Sequence, residues 1–221
     1  MDYFEYARTL RVIDIWKPNE TGYITPRELY DPAVVTDCYP AQDYQHWMDH
    51  GTVGTDTLRY WCTRGSINDG VFTLAQFLLP HQTQRYADNS VHDTRRVIFK
   101  MVQDGRRCRH TGACNAVDSR QVNNRNTLGV EYESLQNGTH DIDDDQYIKG
   151  AFLFAYNSAL GRIPDHRRLS HGIVATPTGR RTDPWAGGFD YARSWAIVQA
   201  IRLDARIWGL WGLPQPQTKA V

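Results

Sequence analysis

His171 and Asp183 stand twelve positions apart, joined by Gly-Ile-Val-Ala-Thr-Pro-Thr-Gly-Arg-Arg-Thr and followed by Pro184. A connector of this composition suits neither a helix nor a central strand, so it can turn back and bring its two ends together. Neutral imidazole and carboxylate oxygen are ordinary zinc donors, and a catalytic zinc needs only three protein donors plus water. Arg181 adds a cation two positions before the carboxylate. The alternative is a surface loop whose histidine and aspartate are incidental. Upstream lie His50-Gly-Thr52, His81-Gln-Thr83, His110-Thr-Gly112 and the run Asn124-Arg-Asn-Thr-Leu-Gly-Val-Glu131-Tyr-Glu133. These offer further imidazoles and the carboxylate that zinc hydrolysis requires. A metal lowers the pKa of its water to about 7, but a base must still take and relay the proton.

The elements that would carry these residues can be read from periodicity. Tyr44 to His50 is short and aromatic and fits a strand, and Thr55 to Thr63 reads as a helix with Asp56 near its start. Phe72 to Leu79 and Arg95 to Val102 are strand candidates separated by a polar hairpin loop from His81 to Thr94. In Leu128 to Leu135, alternation puts Leu128, Val130 and Tyr132 on one face and Glu131 and Glu133 on the other, both acids reading as exposed strand carboxylates. Asp143-Asp144-Asp145 opens a helix with the stripe Ile148, Ala151, Phe152, Ala155 and Ala159. A last long helix begins near Asp190, carries Trp195, Val198, Ile201, Ala205 and Trp208 on one face, and is ended by Gly209 and Gly212. Mixed strands and helices predict an α/β fold, one mixed central β-sheet flanked by helices. Residues 1–40, with five prolines or glycines between short apolar pieces, read as an extended arm with at most one helix or strand. Residues 41–210 are then the catalytic domain and 211–221 a tail.

Bulk properties narrow the function classes. With 221 residues, 41% hydrophobic content and balanced charge (Lys+Arg 25, Asp+Glu 25), the chain is globular and has no polyelectrolyte character, so a nucleic-acid partner is not expected. No apolar run reaches membrane-spanning length, and Met1-Asp-Tyr-Phe-Glu-Tyr-Ala-Arg lacks the apolar stretch of a secretory signal. A cytosolic product, acting elsewhere only after release, is expected. Cys38, Cys62, Cys108 and Cys114 do not form a ribbon spacing and are expected as free thiols. Asp141, Asp143 and Asp145 imitate the opening of a calcium loop, but Gln146 and Phe152 occupy its sixth and twelfth positions, so the acids are better read as a helix start.

In this order, His110-Thr-Gly112, Asn124 to Glu131 and His171 to Pro184 resemble the motifs of the type 2 N-acetylmuramoyl-L-alanine amidases. That zinc hydrolase family includes phage endolysins, cell-wall-recycling amidases and peptidoglycan recognition proteins. Its members read H-x-T, W-H-A-G, N-x-x-S-I-G-I-E and H-(about six)-R-K-T-D-P-G, and the likeness covers about 150 to 170 residues. It implies that His171 and Asp183 are zinc ligands, the loop between them being about two residues longer than usual, a small entropic change. It makes His50 the first ligand, because 60 residues separate it from His110 and leave room for a helix and two strands, whereas His81 leaves 29. Glu131 falls at the acid that handles the attacking water. Arg181 replaces the lysine that holds the oxyanion, and His110 and Asn124 fall at positions lining the substrate groove.

The implied activity is zinc-assisted hydrolysis of the lactyl–L-alanine amide of peptidoglycan by a monomer, with a phage endolysin the expected role. A recycling amidase and a non-catalytic peptidoglycan-binding module are the alternatives. Three departures mark an altered groove: Arg109 replaces the tryptophan of W-H-A-G, Leu74-Ala-Gln76 stands where S-x-H is usual, and the loop from His81 to Thr94 is long.

Overall fold

The computed structural model of the chain describes residues 1–23, 46–51, 57–63, 67–68, 71–72, 75–102, 110–124, 126–134, 142–160, 163–179, 181, 183 and 189–215. Among these, six strands form one mixed sheet: β1 (Arg11–Asp14), β2 (His46–Gly51), β5 (Phe77–Leu79), β8 (Val97–Lys100), β9 (Thr127–Tyr132) and β10 (Arg168–Ser170), in the order β1-β8-β5-β9-β2-β10. The β5–β8 pair is antiparallel and the other four are parallel. The predicted α/β class, a single mixed sheet flanked by helices, is what the chain adopts.

Side-chain alternation divides the sheet into two working faces. Trp47, Leu128, Val130 and Tyr132 pack under α3 (Asp144–Ala159) and α5 (Tyr191–Leu203) in one core cluster. On the opposite side, Leu78, Val97 and Phe99 join Leu58 and Trp61 of α2 (Thr57–Thr63) in a second. α3 starts where the acids predict: Asp143 accepts from Gln146 N, and Gln146 Oε1 accepts from Asp143 N, a reciprocal capping box. Ile148, Ala151, Phe152 and Ala155 of the predicted stripe are buried. Gly150 is required within this helix, because a Cβ there would lie 2.0 Å from the Tyr132 hydroxyl.

Several expectations need correction. The N-terminal segment is not merely an extended arm: α1 (Tyr3–Thr9), capped by Asp2, leads into β1, which pairs with β8 from Arg11↔Val97 to Asp14↔Lys100. The short apolar run Val12-Ile13 was sufficient for an edge strand once a partner was present. The polar segment from His81 to Thr94 is itself a hairpin, β6 (Thr83–Arg85) with β7 (Val91–Asp93), and Asn89 takes the positive φ of its turn. The predicted strand Phe72–Leu79 is not continuous: Val71–Phe72 (β4) pairs with Ile67–Asn68 (β3), and β5 begins at Phe77. The long last helix is broken at Asp204, which ends α5 and caps α6 (Ala205–Trp211) by accepting from Arg206 N. Gly209 lies within α6 and Gly212, at φ 65°, ends it, so a boundary at 210/211 cuts the helix. Glu133 is not an exposed strand carboxylate: it is fully buried and accepts from Thr57 N, His81 N and Gln84 Nε2. Cys62 is a free thiol, Cys114 Sγ donates to Thr111 O, and Cys38 and Cys108 lie outside the described residues.

Candidate metal centre

Three backbone features bring the candidate donors together. His50 sits near the end of β2, its Cα paired in register with Glu131 of the parallel strand β9, so the two side chains are neighbours on one sheet face. His171 follows β10 directly and opens the four-residue helix α4 (His171–Val174). Asp183 returns to this point because the Gly172 N–H donates to its carbonyl at 2.6 Å, closing the loop that the sequence left free to turn back. Gly179, at φ 82°, lies in that loop in a backbone conformation side chains disfavour.

Nδ1 of His50 lies 3.2 Å from Asp183 Oδ2, and Nδ1 of His171 lies 3.1 Å from the same oxygen. The three candidate donor atoms lie within 4.8 Å of one another. Donors around a four-coordinate zinc with bonds of about 2.0–2.1 Å are separated by roughly 3.3 Å, so the spacing suits one ion. The hydrogen bonds behind the rings strengthen the case. His171 Nε2 faces Thr111 O at 2.8 Å, and His110 Nε2 faces Thr127 O at 3.1 Å. A carbonyl oxygen only accepts, so both Nε2 atoms carry the proton. His110 Nδ1 is then bare when the ring is neutral, and the 2.9 Å contact between it and His50 Nε2 is donated by His50. When neutral, both candidate ligand rings therefore turn an unprotonated Nδ1 toward a carboxylate oxygen. Three acceptors facing one another call for a cation between them, and this donor set fits zinc.

The electrostatics agree. Burial holds the His50 imidazole down at about 4 against the opposing pull of Asp183, so it is neutral and able to ligate near pH 7. Burial works to raise the Asp183 carboxyl, but its close contacts with the His171 and His50 rings outweigh burial and leave the group well below the usual carboxylate range. Glu131 retains some exposure, yet its Oε2 is sealed from solvent and has no hydrogen-bond partner among the described residues. Burial, reinforced by the charge of Asp183 and opposed by Arg181, pushes its carboxyl well above the ordinary range. Arg181 is exposed, and Arg180 and Pro184 lie outside the described residues.

The structure thus brings His50, His171, Asp183 and Glu131 together on one face. It leaves His81 elsewhere: its N–H donates to Glu133 and its ring lies 3.8 Å from Asp143. The hydrogen bonds of His110 and Asn124, both expected along a groove, run into the protein. His110 is 8% exposed, and Asn124 Oδ1 accepts from His110 N, Thr111 N and Thr111 Oγ1 at 2.8–2.9 Å. Two contributors escaped sequence reasoning, the carbonyls of Thr111 and Thr127, because a backbone atom has no residue signature. Gly129 was the available clue: a Cβ there would come within 2.6 Å of the His110 ring.

No protein-family model matches the chain, and no curated protein matches it in sequence. Solved structures do match in shape. A selenomethionine derivative of AmpD aligns with 22% identity over 73% of this chain and 89% of its own, with a TM-score of 0.50. AmpDh3 from Pseudomonas aeruginosa, in complex with an anhydromuramic pentapeptide, aligns with 19% identity over 79% and 70%, TM-score 0.50. A mutant endolysin from Bacillus subtilis aligns with 15% identity over 86% and 99%, TM-score 0.50. At these identities the likeness establishes the fold: the chain shares the mixed-sheet architecture of AmpD, AmpDh3 and the endolysin. This is the fold that its motifs imply.

Proposed function

We propose that the chain is a zinc-dependent N-acetylmuramoyl-L-alanine amidase, hydrolysing the amide between the lactyl group of muramic acid and L-alanine in peptidoglycan. The observation that carries this reading is the convergence of His50 Nδ1, His171 Nδ1 and Asp183 Oδ2 beside the sealed, unpartnered oxygen of Glu131. His50, His171 and Asp183 would hold the metal, which when bound lowers the pKa of a coordinated water to about 7 and polarises the scissile carbonyl. Glu131 takes the proton of the attacking water and returns it to the leaving amine of L-alanine. Arg181 balances the negative charge that develops on the carbonyl oxygen. It acts by charge and donor geometry alone, because a guanidinium keeps its proton where a lysine could give one up.

Wall lysis, as in an endolysin, is the role we favour within this chemistry. The likeness to the endolysin runs over 86% of this chain and 99% of the chain in that structure, against 73% and 89% for AmpD.

Incubation of the purified protein with peptidoglycan should release free stem peptides, detected by mass spectrometry, and a chelator should abolish the release. Metal analysis should find one zinc per chain, lost in His171→Ala and in Asp183→Ala because two remaining donors bind weakly. Chelator-insensitive release, or full occupancy in both variants, would overturn the reading. Binding without cleavage by metal-loaded protein would make the chain a recognition module. Preference for soluble anhydromuropeptides over intact sacculi would make it a recycling enzyme.

A further inference from the structure

The residues behind the two imidazoles form a connected assembly. His110 Nδ1 accepts from His50 Nε2, and Thr111 O accepts from His171 Nε2, so adjacent residues of one short segment orient both rings. That segment is held at three points by one atom, Asn124 Oδ1, which accepts from both backbone N–H groups and from the Thr111 hydroxyl. The His110 ring is anchored at its far side by Thr127 O and lies over Gly129, where no side chain would fit. Further along, Thr176 N donates to Ala113 O and Asn115 N to Val174 O, tying the same segment to the end of α4, the helix that His171 opens. At its centre, Thr111 is fully buried and His110 nearly so.

We propose that His110–Thr111, clamped by Asn124 and seated on Gly129, is the positioning element of the metal centre. It fixes the proton on Nε2 of both His50 and His171 and so presents both Nδ1 lone pairs to the ion. His110 is then a positioning residue that touches no substrate. The inference rests on the metal reading above and extends it to residues that ligate nothing. Its chemical basis is general: the partner of the non-ligating nitrogen sets ring orientation and tautomer, and its loss costs about 10–100-fold in metal affinity.

The first test is zinc affinity, measured by competition with a chromophoric chelator. His110→Leu should bind zinc about 10–100-fold more weakly than wild type. His110→Asn, whose side-chain oxygen can occupy the place of Nδ1 and accept from His50, should recover most of that loss. Asn124→Ala should weaken binding too, since the clamp serves both ligands. A groove-lining His110 would instead leave zinc affinity unchanged and raise KM, and that result would overturn the proposal.

The second test needs no variant. In zinc-loaded, 15N-histidine-labelled protein, His50 and His171 should be metallated at Nδ1 with the proton on Nε2, and His110 should be neutral with its proton on Nε2. Metal on Nε2 of either ligand, or a proton on His110 Nδ1, would overturn the proposal even if His110→Leu failed to fold. If wild-type protein binds no zinc, the metal reading itself falls. If it binds zinc and His110→Leu binds equally well, only the positioning role falls.

Discussion

Glu131 and Glu133 stand two residues apart on the same side of one extended segment, yet their carboxylates meet opposite surroundings. Glu133 accepts three hydrogen bonds, whereas Glu131, beside its register neighbour His50, keeps a sealed oxygen with no hydrogen-bond partner among the described residues. A buried acceptor left open is costly unless something fills it, and in the proposed reaction the attacking water would fill it. Glu131→Gln keeps the size of the side chain and removes its basicity. Zinc should remain bound while kcat falls by roughly 10²–10⁴, the share that general-base catalysis supplies. Loss of zinc in this variant would instead make Glu131 part of the ligand set. His171, Asp183 and Glu131 were legible as candidates because their chemistry lies in side chains at distinctive spacing. His50 could be separated from His81 because chain length between strand ends is countable. The placement of His110 was not legible, since its partners include a backbone carbonyl and a ring nitrogen from another strand.

At the scale of elements, Glu133 is a junction. Its carboxylate receives the N–H of Thr57 at the start of α2, the N–H of His81 after β5 and the amide of Gln84 in β6, and its carbonyl accepts from Gln146 of α3. Burial raises this carboxyl, while the backbone hydrogen bonds from Thr57 and His81 oppose the shift. Replacing it by glutamine turns one acceptor into a donor facing donors, and at least one buried N–H loses its partner. We expect Glu133→Gln to cost about 1–3 kcal/mol. In a chain of this size that lowers Tm by about 2–4 °C per kcal/mol, measurable by calorimetry with zinc stoichiometry unchanged. An unshifted Tm would mean that the junction is not under load. Sequence alone made Glu133 a surface acid because alternation specifies a face without specifying what covers it; the hairpin and the start of α2 provide the cover. The same limit explains the last helix. Its apolar spacing continues past Asp204, but that aspartate, accepting from the Arg206 N–H, serves better as the cap of a new helix than inside an old one. α3 was legible to within a residue, because its cap, acidic first turn and stripe all agree.

The whole molecule is closed by its own beginning. β1 completes one edge of the sheet on β8, and α1 sets Tyr6 into the principal core, where its ring stacks on Phe152 at 5.7 Å and its hydroxyl donates to Asp145 Oδ1 at 2.5 Å. Arg206 of α6 reaches Asp2 at 3.1 Å, so the two ends of the described chain meet over α3. An exposed ion pair of this kind adds little, and the stability lies in the buried ring and the strand pairing. Removing residues 1–14 would uncover the ladder of β8, whose Val97, Ile98 and Phe99 are buried, and leave an unpaired apolar edge, a surface that promotes aggregation. Two point variants separate the contributions without exposing that edge. Tyr6→Phe retains the stacking and loses a hydrogen bond to a carboxylate, an expected cost of about 1.5–3 kcal/mol. Tyr6→Ala empties the site as well and should cost about 3–5 kcal/mol, the range for large aromatic deletions. Because the proposed metal ligands lie on other elements, both variants should keep full zinc occupancy and peptide release at a temperature where they remain folded. Urea unfolding of the three proteins tests this order. Equal midpoints for wild type and Tyr6→Ala, or a chain lacking residues 1–14 that stays soluble and unfolds as wild type does, would show that the first fourteen residues are an appendage. The sheet would then end at β8.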